Sequence, residues 1–246
     1  IAAGVATATA EIVVVSGAEG GTGASPASSV RYAGISPEIG LAETQQTLVL
    51  NGLRDKIEIQ TDGQLKTGRD IVSMALLGAG QFGFGTIQLI VLGCVLMRKC
   101  HTNSCPVGVA TQDPQLRAHF MGKADYLVNY YTFLAREVRE YMAEMGFRKF
   151  EDMIGRTDMI EIDESRMNDK TRTLDFSRLL AFIDNGHPIH AVSHPIHKIY
   201  DVLDRDMIES ATEGLASGQN VSLSYDIINT HRAVGAMLSG EIARRY

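Results

Sequence analysis

Between Glu11 and Leu92 a short β-strand, a glycine-rich loop and a helix follow one another three times, and this repeat limits the fold more than any other feature of the chain. The first strand is Glu11 to Ser16, Glu-Ile-Val-Val-Val-Ser. Its unbroken β-branched run predicts a strand buried on both faces of a parallel sheet. Gly17 to Pro26 follows, and its glycines permit positive φ and close approach of backbone to a ligand. The same composition suits a flexible surface turn, so it leaves both readings open. Pro37 to Gly52 carries Leu41, Thr44 and Leu48 at helical spacing and closes on Asn51-Gly52. The second strand, Lys56 to Thr61, enters the loop Asp62 to Asp70, and a helix is expected from Arg69 to Leu77. Gln81 to Gly85 forms the third strand with its own loop, Gly83-Phe84-Gly85-Thr86, before another apolar helix. Such alternation specifies an α/β fold with a parallel sheet.

Two nucleotide motifs nearly match these loops and fail on chemistry. Gly63 to Asp70 has the glycine spacing of a P-loop, but Arg69 and Asp70 stand where Lys and Ser or Thr would hold phosphate and Mg²⁺. Gly78 to Gly83 fits G-x-G-x-x-G but straddles the start of a strand, and the next acidic residue is as distant as Asp113. The loops still share one property: backbone N–H groups at consecutive helix amino ends form an anion site. In (β/α)8 barrels a ligand phosphate often lies between the loops after strands 7 and 8. The second and third strands would then be the last two of such a barrel.

The three cysteines all fall between Gly93 and Gly108, as Cys94, Cys100 and Cys105 with Pro106 next. Any disulfide would leave one sulfur over, so a shared inorganic ligand is the better reading, with zinc and iron–sulfur both open. The composition, 45% hydrophobic and 21% charged, suits a globular core. A net charge of -6 offers no field for nucleic acid or anionic lipid, and both are excluded as main partners. The longest mostly apolar run, Ile87 to Met97, is far short of a membrane span. A cytoplasmic location is expected. Ile1 in place of Met and the missing stop signal before Tyr246 suggest a fragment of a larger chain.

Beyond the cysteines, Ala124 to Met145 reads as a long amphipathic helix through Leu127, Tyr131, Leu134, Val138 and Tyr141, its Arg and Glu residues forming a solvated face. Asp158 to Thr173 reads as polar loop. The repeat His187-Pro188-Ile189-His190 and His194-Pro195-Ile196-His197 could bind a transition metal, but its prolines and lack of cysteine favour a polar connector. Met207 to Ala216 is expected as a helix, Val221 to Tyr225 as a strand and Arg232 to Arg244 as a helix.

Taken together, Ser16-Gly17, Gly20 to Pro26, Gly40 to Thr44, Asp62-Gly63, Thr67 to Asp70, Phe82 to Thr86, Cys100 to Asn103 and Cys105 to Gln112 closely resemble the synthase domain of the glutamate synthase large subunit. The likeness covers most of residues 1 to 160 and continues loosely through Arg232 to Gly235 and Leu238 to Ala243, which resemble the entry to that family's β-helix domain.

The resemblance implies that residues 1–186 are the last three β/α units of an FMN-binding (β/α)8 barrel with an iron–sulfur loop and helical extension. Residues 187–246 would be a connector and the start of the β-helix domain. It also implies a [3Fe-4S] cluster on Cys94, Cys100 and Cys105, against the rival of zinc on these cysteines and His101. FMN would be held by Asp62, Gly63, Gln64 and Gly68 on one loop and Gly83, Phe84, Gly85 and Thr86 on the next, with charge from Lys66 or Arg69. Gly20, Gly21, Thr22 and Gly23 would line the flavin or substrate side. The implied reaction is reductive amination of 2-oxoglutarate, with ammonia that another domain releases from glutamine, to L-glutamate. The partners are then those substrates, the remaining domains and an electron donor, either ferredoxin or an NAD(P)H-oxidising subunit. Ala18-Glu19, Gln45 and Gly80-Gln81 depart from the family's commoner residues and put side-chain roles near the flavin in doubt. The competing reading is a non-catalytic electron-relay or zinc-stabilised scaffold module without flavin.

Overall fold

The computed structural model describes residues 1–17, 25–193 and 201–245. Residues 1–195 and 196–246 form two separate units. In the first, α1 (Ala2–Thr7) leads into β1 (Ile12–Ser16), and α2 (Ala27–Tyr32), absent from the sequence reading, precedes α3 (Pro37–Leu50). Then come β2 (Glu58–Asp62), α4 (Gly68–Leu76), β3 (Gln81–Gly83) and α5 (Thr86–Val91). The short α6 (Pro114–Arg117) and the long α7 (Ala124–Glu144) complete the regular elements of this unit among the described residues.

The three strands pair in parallel in the order β1-β2-β3. Their register aligns Ser16 with Asp62 and Asp62 with Gly83, so the loops that follow all leave from one edge of the sheet. Local chemistry sets the helix limits. Pro37 opens α3, Asn51 caps it, and Gly52 turns the chain at φ +61°. Thr67 and Asp70 form a reciprocal capping box at the start of α4. Helices and sheet meet over Leu41, Leu48, Ile57, Ile59, Ala75 and Met153, all fully buried. Complete burial of a Leu or Ile contributes roughly 1.5–3 kcal/mol. Leu134, Val138 and Met142 then bring α7 against this core.

β1 is not buried on both faces. Val13 and Val15 pack towards the helices, but Ile12 and Val14 are 40% and 54% exposed. The apolar run predicted side chains suited to two covered faces, and no described residue covers the second. β2 starts later than expected because Arg54 turns inward and draws residues 54–56 into a 3-10 turn. Arg54 is buried and donates to Gln45 Oε1 (2.6 Å), the Ile57 carbonyl (2.6 Å) and the Gly78 carbonyl (3.0 Å). Burial lowers its pKa to about 10 against the pull of Glu58, so it stays charged at neutral pH.

From 146 to 193 only short 3-10 turns appear, as the polarity of Asp158 to Thr173 predicted. This segment is tied back to the helices: Gly155 N–H reaches the Ala75 carbonyl (2.9 Å), Asn185 Nδ2 the Val49 carbonyl (2.6 Å), and Gln45 Nε2 the Ile189 carbonyl (2.7 Å). The first histidine repeat is thus part of a strap across α3, and the second lies outside the described residues.

In the second unit α8 (Leu203–Ser217) ends on Gly218 at φ +67°, and α9 (Ala236–Arg245) follows a long irregular return. The strand expected at Val221 to Tyr225 does not form. Val221 instead packs on Gly214 of α8, where any Cβ would meet its Cγ2 at 2.3 Å, and Tyr225 Oη bonds Ser210 Oγ (3.2 Å). α9 begins later than expected because Gly235 takes φ +87°. The buried Asp204 of α8 accepts N–H groups from Gly235 (3.0 Å), Met237 (2.8 Å) and Leu238 (3.4 Å). Among the described residues no helix is long and apolar enough to cross a membrane.

Candidate functional site

At the edge where the strands end, the loops after β2 and β3 enclose a cleft of about 220 Å³ lined by Asp62, Gly63, Gln64 and Leu65 on one side and Gly83, Phe84, Gly85 and Thr86 on the other. Seven of the residues predicted to bind a cofactor therefore come together here. Gly63 at φ +119° and Gln64 at φ +58° turn the first loop through the left-handed region, which costs Gln64 more than glycine. A Cβ on Gly83 would lie 2.9 Å from Asp62 Cβ, so the cleft needs glycine there. Gly85 is the N-cap of α5 and brings no side chain, so no side-chain cap covers the first N–H groups of that helix.

Gly68 does not line the cleft, and the start of α4 is closed as an anion site. Its Gly68 N–H donates to Glu137 Oε2 at 2.7 Å, and the N–H groups of Lys66 and Thr67 both donate to Asp70 Oδ2 at 2.9 Å. Two carboxylates of the chain thus occupy the positions that an anionic ligand would need. Lys66 and Arg69 are exposed, and Arg69 borders a neighbouring cleft of about 560 Å³ with Ser36, Glu38 and Gln64. Gly20, Gly21, Thr22 and Gly23, with Ala18 and Glu19, lie outside the described residues. Gln45 is buried in the helix core between Arg54 and the strap, so its departure from the family pattern concerns packing.

Both loops of the cleft are held from behind by α7. Tyr130 Oη donates to the Lys66 carbonyl (2.7 Å), while Tyr131 accepts from Gln88 Nε2 (2.6 Å) and meets Phe84 edge-on with ring centroids 5.4 Å apart. The apolar spacing predicts this helix and places Glu137 on its solvated face. Glu137 is instead half-buried and bonded, whereas Arg136, Arg139 and Glu140 are exposed as expected. Sequence offered no signal for Glu137 beyond its place one residue before the buried Val138.

The cysteines are free and half-buried, and all three line one cavity of about 280 Å³. Its walls include Leu89, Val95, Leu96 and Met97, with Arg98 and Lys99 adding positive charge. Leu96 and Arg98 take φ +54° and +55°, an unusual conformation for both, in the segment that joins Cys94 to Cys100. Asn103, at φ +57°, closes the loop: its Oδ1 accepts from Gln112 N–H (2.6 Å) and Thr111 Oγ1 (3.1 Å). After Cys105 the backbone wraps round the sulfur. The Ala110 N–H lowers the thiol's pKa most, burial opposes it, and the N–H groups of Val107, Val109 and Gly108 add to the lowering. Gly108, at φ +73°, is required, because a Cβ would sit 2.7 Å from the Leu116 carbonyl oxygen. Among the described residues no three His, Cys, Asp or Glu side chains are grouped to hold a metal ion, although all three thiols line this one cavity. Gly85 and Thr86 line both this cavity and the cleft.

A family model described as a conserved region in glutamate synthase matches residues 1–148. The chain is 50% identical, over its whole length, to the glutamate synthase [NADPH] large chain of Bacillus subtilis (strain 168) and covers 16% of that protein. It is 43% identical, again over its whole length, to ferredoxin-dependent glutamate synthase 2 of Synechocystis sp. and covers 16% of it. The chain thus spans about a sixth of the length of these relatives. A flavocytochrome b2 variant with sulfite bound aligns at a TM-score of 0.43 and 20% identity, over 70% of this chain and 36% of that one.

Proposed function

The chain belongs to the glutamate synthase family, and on that premise we propose that its three β/α units close an FMN-binding (β/α)8 barrel beside a [3Fe-4S] cluster held by Cys94, Cys100 and Cys105. The observation that carries this reading is the shared wall. Gly85 and Thr86 border both the strand-end cleft and the cysteine cavity, so a flavin in one and a cluster in the other would be neighbours.

The residues fit both groups. A cluster takes one cysteine per iron and so needs thiols around a cavity several atoms wide, whereas zinc needs its ligands at about 2.0–2.3 Å from one point. Arg98, Lys99 and the N–H groups facing Cys105 would stabilise the cluster's negative charge, and the apolar walls would help tune its potential. In the cleft, backbone N–H groups of residues 63–65 and 84–86 would take the phosphate. Asp62, a carboxylate, would repel phosphate and accept from hydroxyl groups, so we assign it to the ribityl chain. Gly68 has no part in this cradle, because Glu137 holds its N–H.

When bound, FMN supplies hydride transfer and the cluster one-electron steps. This chain's own task is to hold the flavin by its phosphate and to hold the cluster next to it in apolar surroundings. The reaction of the whole enzyme, in this reading, is reductive amination of 2-oxoglutarate with glutamine-derived ammonia to L-glutamate. No side chain here is assigned a proton-transfer role. Residues 1–186 would belong to the barrel and 187–246 would lead into the β-helix domain. The enzyme would work in the cytoplasm with ferredoxin, NADH or NADPH as donor, as the names of its relatives specify for them.

Flavin and metal analysis of anaerobically purified full-length enzyme tests this. FMN absorbance near roughly 450 nm with about three irons per chain is expected. Zinc without iron, or iron without flavin, would overturn it. The isolated 246-residue chain, given FMN and reductant, is expected to make no glutamate from glutamine and 2-oxoglutarate.

A further inference from the structure

Adjacent residues on α7 hold opposite sides of the cleft. Tyr130 reaches the loop after β2 through the Lys66 carbonyl, at 2.7 Å. Tyr131 reaches the loop after β3 through the Phe84 ring and, one turn into α5, through Gln88. The two tyrosine rings meet edge-on, with centroids 5.1 Å apart and planes at 73°. The loops themselves belong to separate β/α units, and β3 is only three residues long, so the sheet gives their tips little mutual support. Each ring is locked by its neighbour, and the hydroxyl of each has a partner on a different unit.

We propose that Tyr130 and Tyr131 are positioning residues for the phosphate of the flavin: together they set the separation of the two loops whose N–H groups receive it. The inference rests on the cleft being the FMN phosphate site. Neither side chain touches the ligand. Their effect is to keep the N–H groups of residues 63–65 and 84–86 aimed at one point, so that binding need not order the loops first. The Tyr130 phenol suits this role as a lasting donor, since burial, Tyr131 and the carboxylates of Asp70 and Glu137 all raise its pKa.

The test compares FMN with riboflavin, which lacks the phosphate, in titrations of flavin-free full-length enzyme. Tyr130→Phe and Tyr131→Phe keep both rings and remove one hydroxyl each. Each should weaken FMN roughly three- to tenfold, the size of one net hydrogen bond, and leave riboflavin affinity within twofold of the parent. Gln88→Ala should reproduce Tyr131→Phe. Tyr126→Phe, exposed on the same helix, is the control and should change neither ligand. A merely structural role would weaken both ligands together, and that result overturns the proposal, as would unchanged FMN affinity in both tyrosine variants. A parent that binds riboflavin and FMN equally would overturn the proposal while leaving a flavin site in place. A parent that binds neither would remove the flavin reading itself and this inference with it.

Discussion

Glu137 on α7 accepts the N–H of Gly68 on α4 at 2.7 Å, across 69 positions of sequence. The contact is close because Gly68 has no side chain: a Cβ there would lie 2.8 Å from Glu137 Cβ and 2.9 Å from the Val138 nitrogen. Gly68→Ala should therefore part the helices and cost about 1–3 kcal/mol by overpacking. Glu137→Ala strands the Gly68 N–H and should cost about 1–2 kcal/mol, while Glu137→Gln keeps an acceptor and should recover much of it. Urea unfolding of the three variants measures this, and a Glu137→Ala midpoint equal to the parent's would show that the bond carries no stability.

Arg54 joins three parts of the core: α3 by Gln45, the entry to β2 by Ile57, and the turn before β3 by Gly78. With Arg54→Met all three acceptors lose their donor, and a loss of about 3–5 kcal/mol is expected. Lysine cannot replace the planar fork, so Arg54→Lys should recover less than half of that loss. Thermal melts of both variants decide the point. A lysine variant that melts with the parent would mean that charge alone, with no set geometry, is what the site requires.

The β/α order and the parallel sheet are legible because strand, glycine loop and helix each leave a local mark, whereas the seven residues that line the cleft follow from the family resemblance. The closure of α4 is not legible in either way. Asp70 reads as an ordinary first-turn acid, and only the packing of α7 reveals that Glu137 takes the remaining N–H. Ile12 and Val14 are exposed because no described residue lies over their face, and an apolar run reports what a strand can be covered by and not what covers it. Val221 to Tyr225 has strand composition, but a strand needs a partner, and the segment packs on α8 instead. For the cysteines, spacing alone predicted a shared ligand. The N–H groups round Cys105 and the left-handed Leu96 and Arg98 depend on the folded loop and have no counterpart in spacing.

Asn103 ties the cysteine loop shut, combining a left-handed backbone with two bonds accepted by its side-chain oxygen. Those two properties separate in variants. Asn103→Gly keeps the backbone and loses the bonds, Asn103→Asp keeps an acceptor, and Asn103→Ala loses both advantages. Iron retained after gel filtration should fall in the order parent, Asp, Gly, Ala, with at least half lost from Ala. Equal iron in all four would show that the Asn103 clasp has no part in holding the proposed cluster.

Asp204 gives the second unit a dependence on acid. Burial alone would raise its carboxyl, but the N–H groups of Gly235, Met237 and Leu238 outweigh it and hold the pKa below the usual carboxylate range. An unfolded Asp titrates at about 3.9. Above that value Asp204 is ionised in both states and its contribution is complete. As the pH falls further, the unfolded chain binds the proton first, and the contribution drains away until the pH has passed the lower native value. Amide NMR of Gly235, Met237 and Leu238 between pH 7 and pH 2 should show a shared transition below about 3.9, after which the start of α9 frays. Asp204→Asn presents one neutral oxygen to three donors, so it should remove the transition and leave these amides less protected from exchange at pH 7. A transition that survives in Asp204→Asn would assign the acid sensitivity to another carboxylate.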